Sequence, residues 1–470
     1  MLQTLKNAWH TKEIKSKILF TLLILLLYRI GTVIPVPFVD AHNFAGQFGG
    51  TILGYMNTLS GGALGQATLF ALGVSPYINA SIIIQLLAVA FPKLGELSKD
   101  ESGKKVMSMI TRITTVVLAL VTAIGYYFLL KNGDGTNSAL SNLATGSSVP
   151  WLFAIVIIAC YCAGASLIMW LAERINDKGI GNGISLILFA NIISELPSKI
   201  YYLVLFVISA FNTEDPVVVR VIGAFLFAFF LIAVTVAITV FVIWVTGSER
   251  RIPVQYAKKV VGRKMYGGQS SNLPIKLNMT GVMPVIFASS IVSLLPTILA
   301  LCGVKSVASV GASKANFWNH LYDFLGADGW FYPLIFGIMI IGFTYFYTQI
   351  TFNPVEVANN LKKQGGAIPG IRQGRPTAQY ISKILNKVTF VGALFLAIVA
   401  IVPIVGGPHV LRPLIAWILG ADITASGVSN LANSFTFGGT TLLIVVGVVL
   451  ETFRELEAQL TMRNYKGFLN

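Results

Sequence analysis

Charge is scarce in this sequence. Of 470 residues only 11% are Asp, Glu, Lys or Arg, against about 25% in ordinary soluble domains. A water-soluble fold of this length needs far more polar surface, so the deficit excludes a soluble enzyme. Cysteine is scarcer still. There are three, and Cys160 and Cys162 lie inside one apolar run, which leaves neither a disulfide framework nor a zinc site to read. The four histidines, His10, His42, His320 and His409, fall in loops or at termini. A Walker A phosphate loop is missing: Gly103-Lys104-Lys105 lacks both the upstream Gly and the following Ser or Thr. No cofactor and no enzymatic activity are therefore expected. What abounds is apolar residue, 55% of the chain, with a mean hydropathy of +0.75. That richness excludes disorder. The long solid runs exclude an outer-membrane barrel, which would show alternating segments of about 10 residues.

Ten apolar runs approach the roughly 20 residues of a spanning helix. They cover 18–36, 74–91, 109–130, 151–171, 183–203, 217–246, 280–300, 331–350, 384–403 and 438–454. The first follows Lys6, Lys12, Lys15 and Lys17 as a signal peptide would. It continues through Ile34-Pro35-Val36-Pro37 without a small-residue cleavage pattern, so it is read as a retained helix. With the N-terminus in the cytoplasm, 27 of the 34 Lys and Arg lie in cytoplasmic segments, as the positive-inside rule requires. Ten spans return the C-terminus to the same side. Ionisable residues are nearly absent from the span centres, which argues against a pump or an ion-coupled transporter. Arg29 and Glu195 lie late in their spans and are expected to snorkel to the interface.

Two cytoplasmic loops, 247–279 and 352–382, are long and basic. The first carries Arg250, Arg251, Lys258, Lys259, Arg263, Lys264 and Lys276 against Glu249. The second carries Lys362, Lys363, Arg372 and Arg375 against Glu356, with Gly365-Gly366 and Pro369-Gly370 reading as tight turns. On the other side, residues 37–73 are rich in Gly and other small residues.

Residues 73–87, GVSPYINASIIIQLL, align with 281–295, GVMPVIFASSIVSLL. Gly73/Gly281, Pro76/Pro284, Ile78/Ile286 and Ser81/Ser289 are among the identities. The segments open the second and seventh runs. An odd number of spans apart, they cross in opposite directions, so the chain reads as two five-helix halves of inverted topology, 1–210 and 211–470. Such a fold places its site between the halves near the midplane. Two further segments are rich in Gly, one preceding the second run and one opening the fifth. Ser60-Gly61-Gly62-Ala63-Leu64-Gly65 reads either as a short mobile element tucked into the outer side or as an ordinary surface loop. Gly179-Ile180-Gly181-Asn182-Gly183-Ile184-Ser185 reads either as a flexible entry to a cavity-lining helix or as close helix packing by small residues.

Several of these stretches resemble signature regions of the SecY family of protein-conducting channel subunits. They are SPYINASIIIQLL (75–87), ERINDKGIGNGIS (173–185) and NPVEVANNLKKQGGAIPGIR (353–372). YRIGTVIPVP, SGGAL and FGGTTLLIVVGVV are similar to it as well, and the resemblance runs from about residue 15 to 465. It implies an all-α polytopic membrane protein in which ten transmembrane helices form a clamshell around an hourglass pore. It implies a pore ring at Val74, Ile78, Ile184, Leu188, Ile286 and Ile444. Such an aliphatic ring blocks ions by dewetting and offers a sliding chain nothing to bind. The alternative reading of these six is core or lipid-facing packing.

The resemblance further implies a plug around 57–70, including Ser60, Gly61, Gly62, Ala63 and Leu64. It implies a lateral gate of spans two and three against seven and eight, where Asn79 is a candidate polar latch. Arg250, Arg251, Arg263, Lys264, Lys362, Lys363, Arg372 and Arg375 would dock a ribosome through its phosphates, or the motor ATPase SecA. SecE, SecG, YidC, SecDF, membrane lipids and signal-sequence-bearing polypeptides are the other implied partners. The bacterial inner membrane is the implied location. Two departures stand out. Gln373 and Arg375 make the second loop more basic than usual, and 404–437 is longer than expected, with Leu411–Leu419 read as a short outer amphipathic helix. The competing functional classes are a secondary solute transporter and a membrane scaffold without a pore.

Overall fold

The computed structural model describes residues 6, 8–39, 52–97, 100–132, 140, 150–209, 217–256, 259–261, 264–266, 270–304, 307, 316–326, 331–411, 414 and 438–466. The main helices are α1 (Lys12–Gly31), α2 (Ile52–Leu59), α3 (Ser75–Ala90), α4 (Pro92–Leu97), α5 (Glu101–Asn132), α6 (Pro150–Lys178), α7 (Gly183–Ser194) and α8 (Leu196–Ser209). There follow α9 (Val217–Gly247), α10 (Met283–Leu301), α11 (Phe317–Phe324), α12 (Phe331–Thr351), α13 (Pro354–Lys363), α14 (Arg375–Gly406) and α15 (Gly438–Lys466). Each of the ten apolar runs lies mostly on one or two of these helices. Among the described residues, six helical stretches are long and apolar enough to cross a membrane by themselves, while α3 and Met283–Leu299 are apolar but shorter. The outward faces stay apolar: Phe229 and Trp244 of α9 are 72% and 70% exposed, as side chains facing lipid require.

Local chemistry sets the helix ends. The first run was expected to continue to 36, but α1 stops at Gly31. Pro35 and Pro37 cannot extend it, and Pro35 instead forms an antiparallel bridge with Thr68. Run 183–203 is broken at Glu195 into α7 and α8, just ahead of Pro197. α14 begins at Arg375, well before the apolar run at 384, because Gly374 turns the chain at φ 94° and Pro376 sits in the first turn. His320, expected in a loop, lies on α11. Gly407–Leu411 forms a π turn; residues 415–437, which hold most of the expected outer helix, lie outside the described residues.

The two long basic loops, 247–279 and 352–382, are not purely helical. β1 (Glu249–Tyr256) pairs antiparallel with β4 (Ser270–Lys276), with Ile252 opposite Leu273. β2 (Lys259–Val261) and β3 (Lys264–Tyr266) form a hairpin between them. β5 (Gly366–Ala367) of the second basic loop adds to β1, Tyr256 opposite Gly366. Gly366 is thus a strand residue and not part of a turn; Gly365 (φ 72°) and Gly370 (φ 80°) make the turns. Ile252, Val254, Ile275, Leu361, Ile368, Ile381 and Leu385 form one apolar core, so the two loops fold as a single body on α14.

Candidate functional site: an aliphatic constriction and its plug

The two repeat segments fold alike. Gly73 and Gly281 take φ 57° and 63°, a left-handed turn that favours glycine. Val74 O then accepts from Tyr77 N (3.1 Å) and Ile78 N (3.0 Å), and Val282 O accepts from Val285 N and Ile286 N (both 3.1 Å). The same turn therefore starts α3 and α10 and aims Ile78 and Ile286 at equivalent places. α10 packs against α3 and α5, and α15 packs against α7.

Val74, Ile78, Leu188, Ile286 and Ile444 line one small cavity within the main buried cluster. All five are buried. About 10 Å³ of that cavity is open to the centre of a water molecule, room for roughly one water. Leu59 and Ser60 line it too. Ile184, expected with the five, is half-buried and packs on the same core without lining the cavity.

The Gly-rich segment is no surface loop. Ser60, Ala63 and Leu64 are buried. Ser60 Oγ donates to Asn57 O (2.9 Å) and accepts from Leu64 N (3.1 Å), and Asn57 Oδ1 accepts from Gly65 N (2.7 Å). Tyr126 of α5 donates to Leu64 O (2.5 Å), and Tyr161 of α6 donates to Ala67 O (3.2 Å). On the other side, Thr297 Oγ1 of α10 lies 3.1 Å from Met56 Sδ. Gly61 has no room for a side chain, since an added Cβ would sit 2.7 Å from Arg29 Nη1; at Gly62 nothing lies within 4 Å. Arg29 does not snorkel outward but turns in, Nη1 3.5 Å from Asn191 Oδ1.

The Gly179–Ser185 stretch is a packed cap. Asn182 Oδ1 accepts from Ile184 N and Ser185 N, and Asn176 Oδ1 accepts from Gly183 N (2.7 Å). A Cβ on Gly183 would lie 2.0 Å from Ala172 O. Close packing, not flexibility, explains the glycine there.

Asn79 lines a second, mostly apolar cavity between α2, α3, α5 and α10, about 160 Å³ of it open to water centres. Its Oδ1 is buried and accepts no hydrogen bond from the protein, so the expected latch is not formed through that atom here.

The basic side chains gather on the body that the two basic loops form with α14. Arg250, Lys362, Lys363, Arg372 and Arg375 are exposed. Arg251 is exposed as well but pairs with Glu249 at 2.8 Å. Burial, and then Arg454, lowers the pKa of the Lys276 ammonium, against the pull of Glu249. Thr377 Oγ1 donates to Arg372 O (2.8 Å), and Gln373 Nε2 donates to Gly366 O (3.2 Å), which fixes the loop tip. Lys264 lies on β3; Arg263 lies outside the described residues.

Sequence reading missed the residues that hold the Gly-rich segment and the helix before it: Asn191, Tyr28, Tyr126 and Tyr161. The available signal was polar atoms inside otherwise apolar runs, as at Asn191 in GISLILFANIIS.

Together these features define a polytopic helical membrane protein in which aliphatic side chains and the start of the Gly-rich segment enclose one small cavity. The family model for SecY matches residues 68–453. This chain belongs to the SecY family. It is 39% identical to the protein translocase subunit SecY of Halalkalibacterium halodurans and 38% identical to that of Streptomyces galbus, each alignment covering all of both chains. Among solved structures it is similar in fold to one described as a protein conducting channel. That match has a TM-score of 0.57 and 19% identity, over 94% of this chain and 91% of the other. A structure on how the plug domain of SecY stabilises the closed channel matches to the same extent.

Proposed function

We propose that this chain is the passive channel through which unfolded polypeptides cross the membrane. The observation that carries the reading is the convergence of Val74, Ile78, Leu188, Ile286 and Ile444 on one nearly closed cavity that the Gly-rich segment also lines. An aliphatic ring makes a dewetted seal at rest and has no polar group to arrest a moving chain. Family membership supports it, as its relatives are named protein translocase subunits. The transporter alternative lacks an intramembrane carboxylate at the constriction, where only aliphatic and Ser side chains and Gly73 meet.

On this reading Ile184 joins the ring as it opens, and residues 57–70 are the plug. Residues 1–210 and 211–470 are the halves that part, with both termini cytoplasmic in the bacterial inner membrane. The α3/α5 and α10 contact, with its apolar cavity beside Asn79, is where membrane segments leave sideways into lipid. The single cytoplasmic body of β1, β4, β5 and α13 is the docking surface for the ribosome or SecA. SecE and SecG are the expected small partner subunits, with YidC and SecDF as accessory ones.

The test is a triple variant, Ile78→Gly, Ile184→Gly and Ile286→Gly, in planar bilayers. Resting ion leak should rise, and polypeptides with defective signal sequences should pass. Unchanged conductance together with unchanged selectivity would remove these residues from the path.

A further inference from the structure

Asn191 is fully buried in α7, flanked by Ile187 and Ile192. Its Nδ2 donates to Tyr28 Oη (2.8 Å) and to Leu59 O (2.7 Å). Leu59 is the last residue of α2, so its carbonyl is among those that a helix end leaves without an intrahelical donor. The amide cannot be flipped, because Oδ1 would then face the Leu59 oxygen, acceptor against acceptor. Oδ1 instead faces Arg29 Nη1. Gly61 closes on the same group: its added Cβ would lie 2.7 Å from Arg29 Nη1, 2.9 Å from Asn191 Oδ1 and 3.1 Å from Ser194 Oγ. Two features of the plug's end, the Leu59 carbonyl and Gly61, therefore rest on one polar cluster from α1 and α7.

We propose that Asn191 is a positioning residue for gating, whose side-chain amide holds the plug helix in its closed seat through the Leu59 carbonyl. This deepens the channel reading above and rests on it. A buried amide in an apolar helix is costly unless its hydrogen bonds are made. With the plug seated, both amide protons have acceptors. When the plug leaves, the bond to Leu59 is lost and only Tyr28 remains, so the amide disfavours the open state. Tyr28 holds the amide in register from α1 and thereby ties three elements together. An aliphatic residue at 191 would suit the surrounding core equally in either state and would remove the bias.

The experiment uses the full chain in membrane vesicles with the partner subunits it assembles with, in a background where Cys160, Cys162 and Cys302 are Ser. Leu64→Cys, buried at rest, reports plug departure through labelling by a membrane-impermeant maleimide from the outer side. Asn191→Leu should raise resting labelling and ion leak about tenfold, the effect of one buried hydrogen bond, with thermal stability unchanged or higher. Asn191→Asp, which keeps the shape but cannot donate to Leu59 O, should release the plug as well. Tyr28→Phe should give a smaller rise. A rise in leak that only tracks a fall in thermal stability would mean a merely structural role and would overturn the proposal. So would wild-type leak and labelling in Asn191→Leu or in Asn191→Asp. The ring triple variant serves as control. If it leaks and the Asn191 variants do not, the latch alone fails; if it too is silent, the channel reading fails.

Discussion

Gly73 and Gly281 occupy the same left-handed turn in two separate halves of the chain, at φ 57° and 63°, each one residue before the valine whose carbonyl starts a helix. No L-residue takes this conformation without strain. Gly73→Ala and Gly281→Ala should each cost about 1–2 kcal/mol of stability, and the losses should add, because the sites share no contact. Thermal unfolding of the single and double variants measures this. Full tolerance at one site and not the other would show that the two turns are not equivalent.

Gly183 separates packing from flexibility at the entry to α7. With Ala172 O only 2.0 Å from an added Cβ, Gly183→Ala should behave as overpacking and destabilise by about 1–3 kcal/mol. If flexibility were the reason for the glycine, stability would hold and only transport would slow.

The plug should leave its seat during transport. Leu64→Cys should be labelled from the outside faster with a polypeptide in transit than at rest. Gly61→Cys is the poorer reporter, since it puts a side chain on a backbone at φ 67° and displaces the tips of Arg29 and Asn191. Tyr126→Phe, which deletes the donor to Leu64 O, should raise resting labelling several-fold, as expected for a hydrogen bond of about 1 kcal/mol. Equal labelling in every state would mean that the segment is fixed.

Docking and activation should separate on the cytoplasmic body. Neutralising Arg263, Lys264, Lys362 and Lys363 should weaken ribosome binding and flatten its salt dependence by about one unit of slope per lost phosphate contact. Arg372 sits exposed on a tip braced through Thr377 and Gln373. Arg372→Glu should abolish motor-driven transport while reducing ribosome affinity far less. Ribosome binding and ATP-driven transport measured on one preparation decide this, and losses in equal proportion would contradict it. Arg251, already paired with Glu249 at the surface, should contribute little.

Much of the helical frame was legible because the solvent for most of this surface is lipid. Long apolar runs had no alternative but to become helices, and most of each run did, apart from 32–36 and the break at Glu195. The repeat was legible because Gly and Pro fix backbone geometry. The strands of the basic loops were harder to see. The alternation of Ile252 and Val254, matched by Leu273 and Ile275 on β4, is short and embedded in charge, and it acquires meaning only when α13 and α14 cover it. The plug's position was equally hidden. Its burial depends on Tyr126, Tyr161 and Asn191, which lie far along the chain from it. Ile184 shares a helix face with Leu188, yet only Leu188 reaches the cavity, because spacing defines a face and not its depth.

The central claim is that polypeptide passes through the aliphatic constriction. A photo-crosslinking residue at Ile78 or Ile286, with a secretory chain stalled in transit, tests it most directly. The account predicts adducts to the stalled chain from both positions, and none from lipid-facing Ile338, which is 61% exposed on α12. Adducts from Ile338 with silence at Ile78 and Ile286 would contradict it.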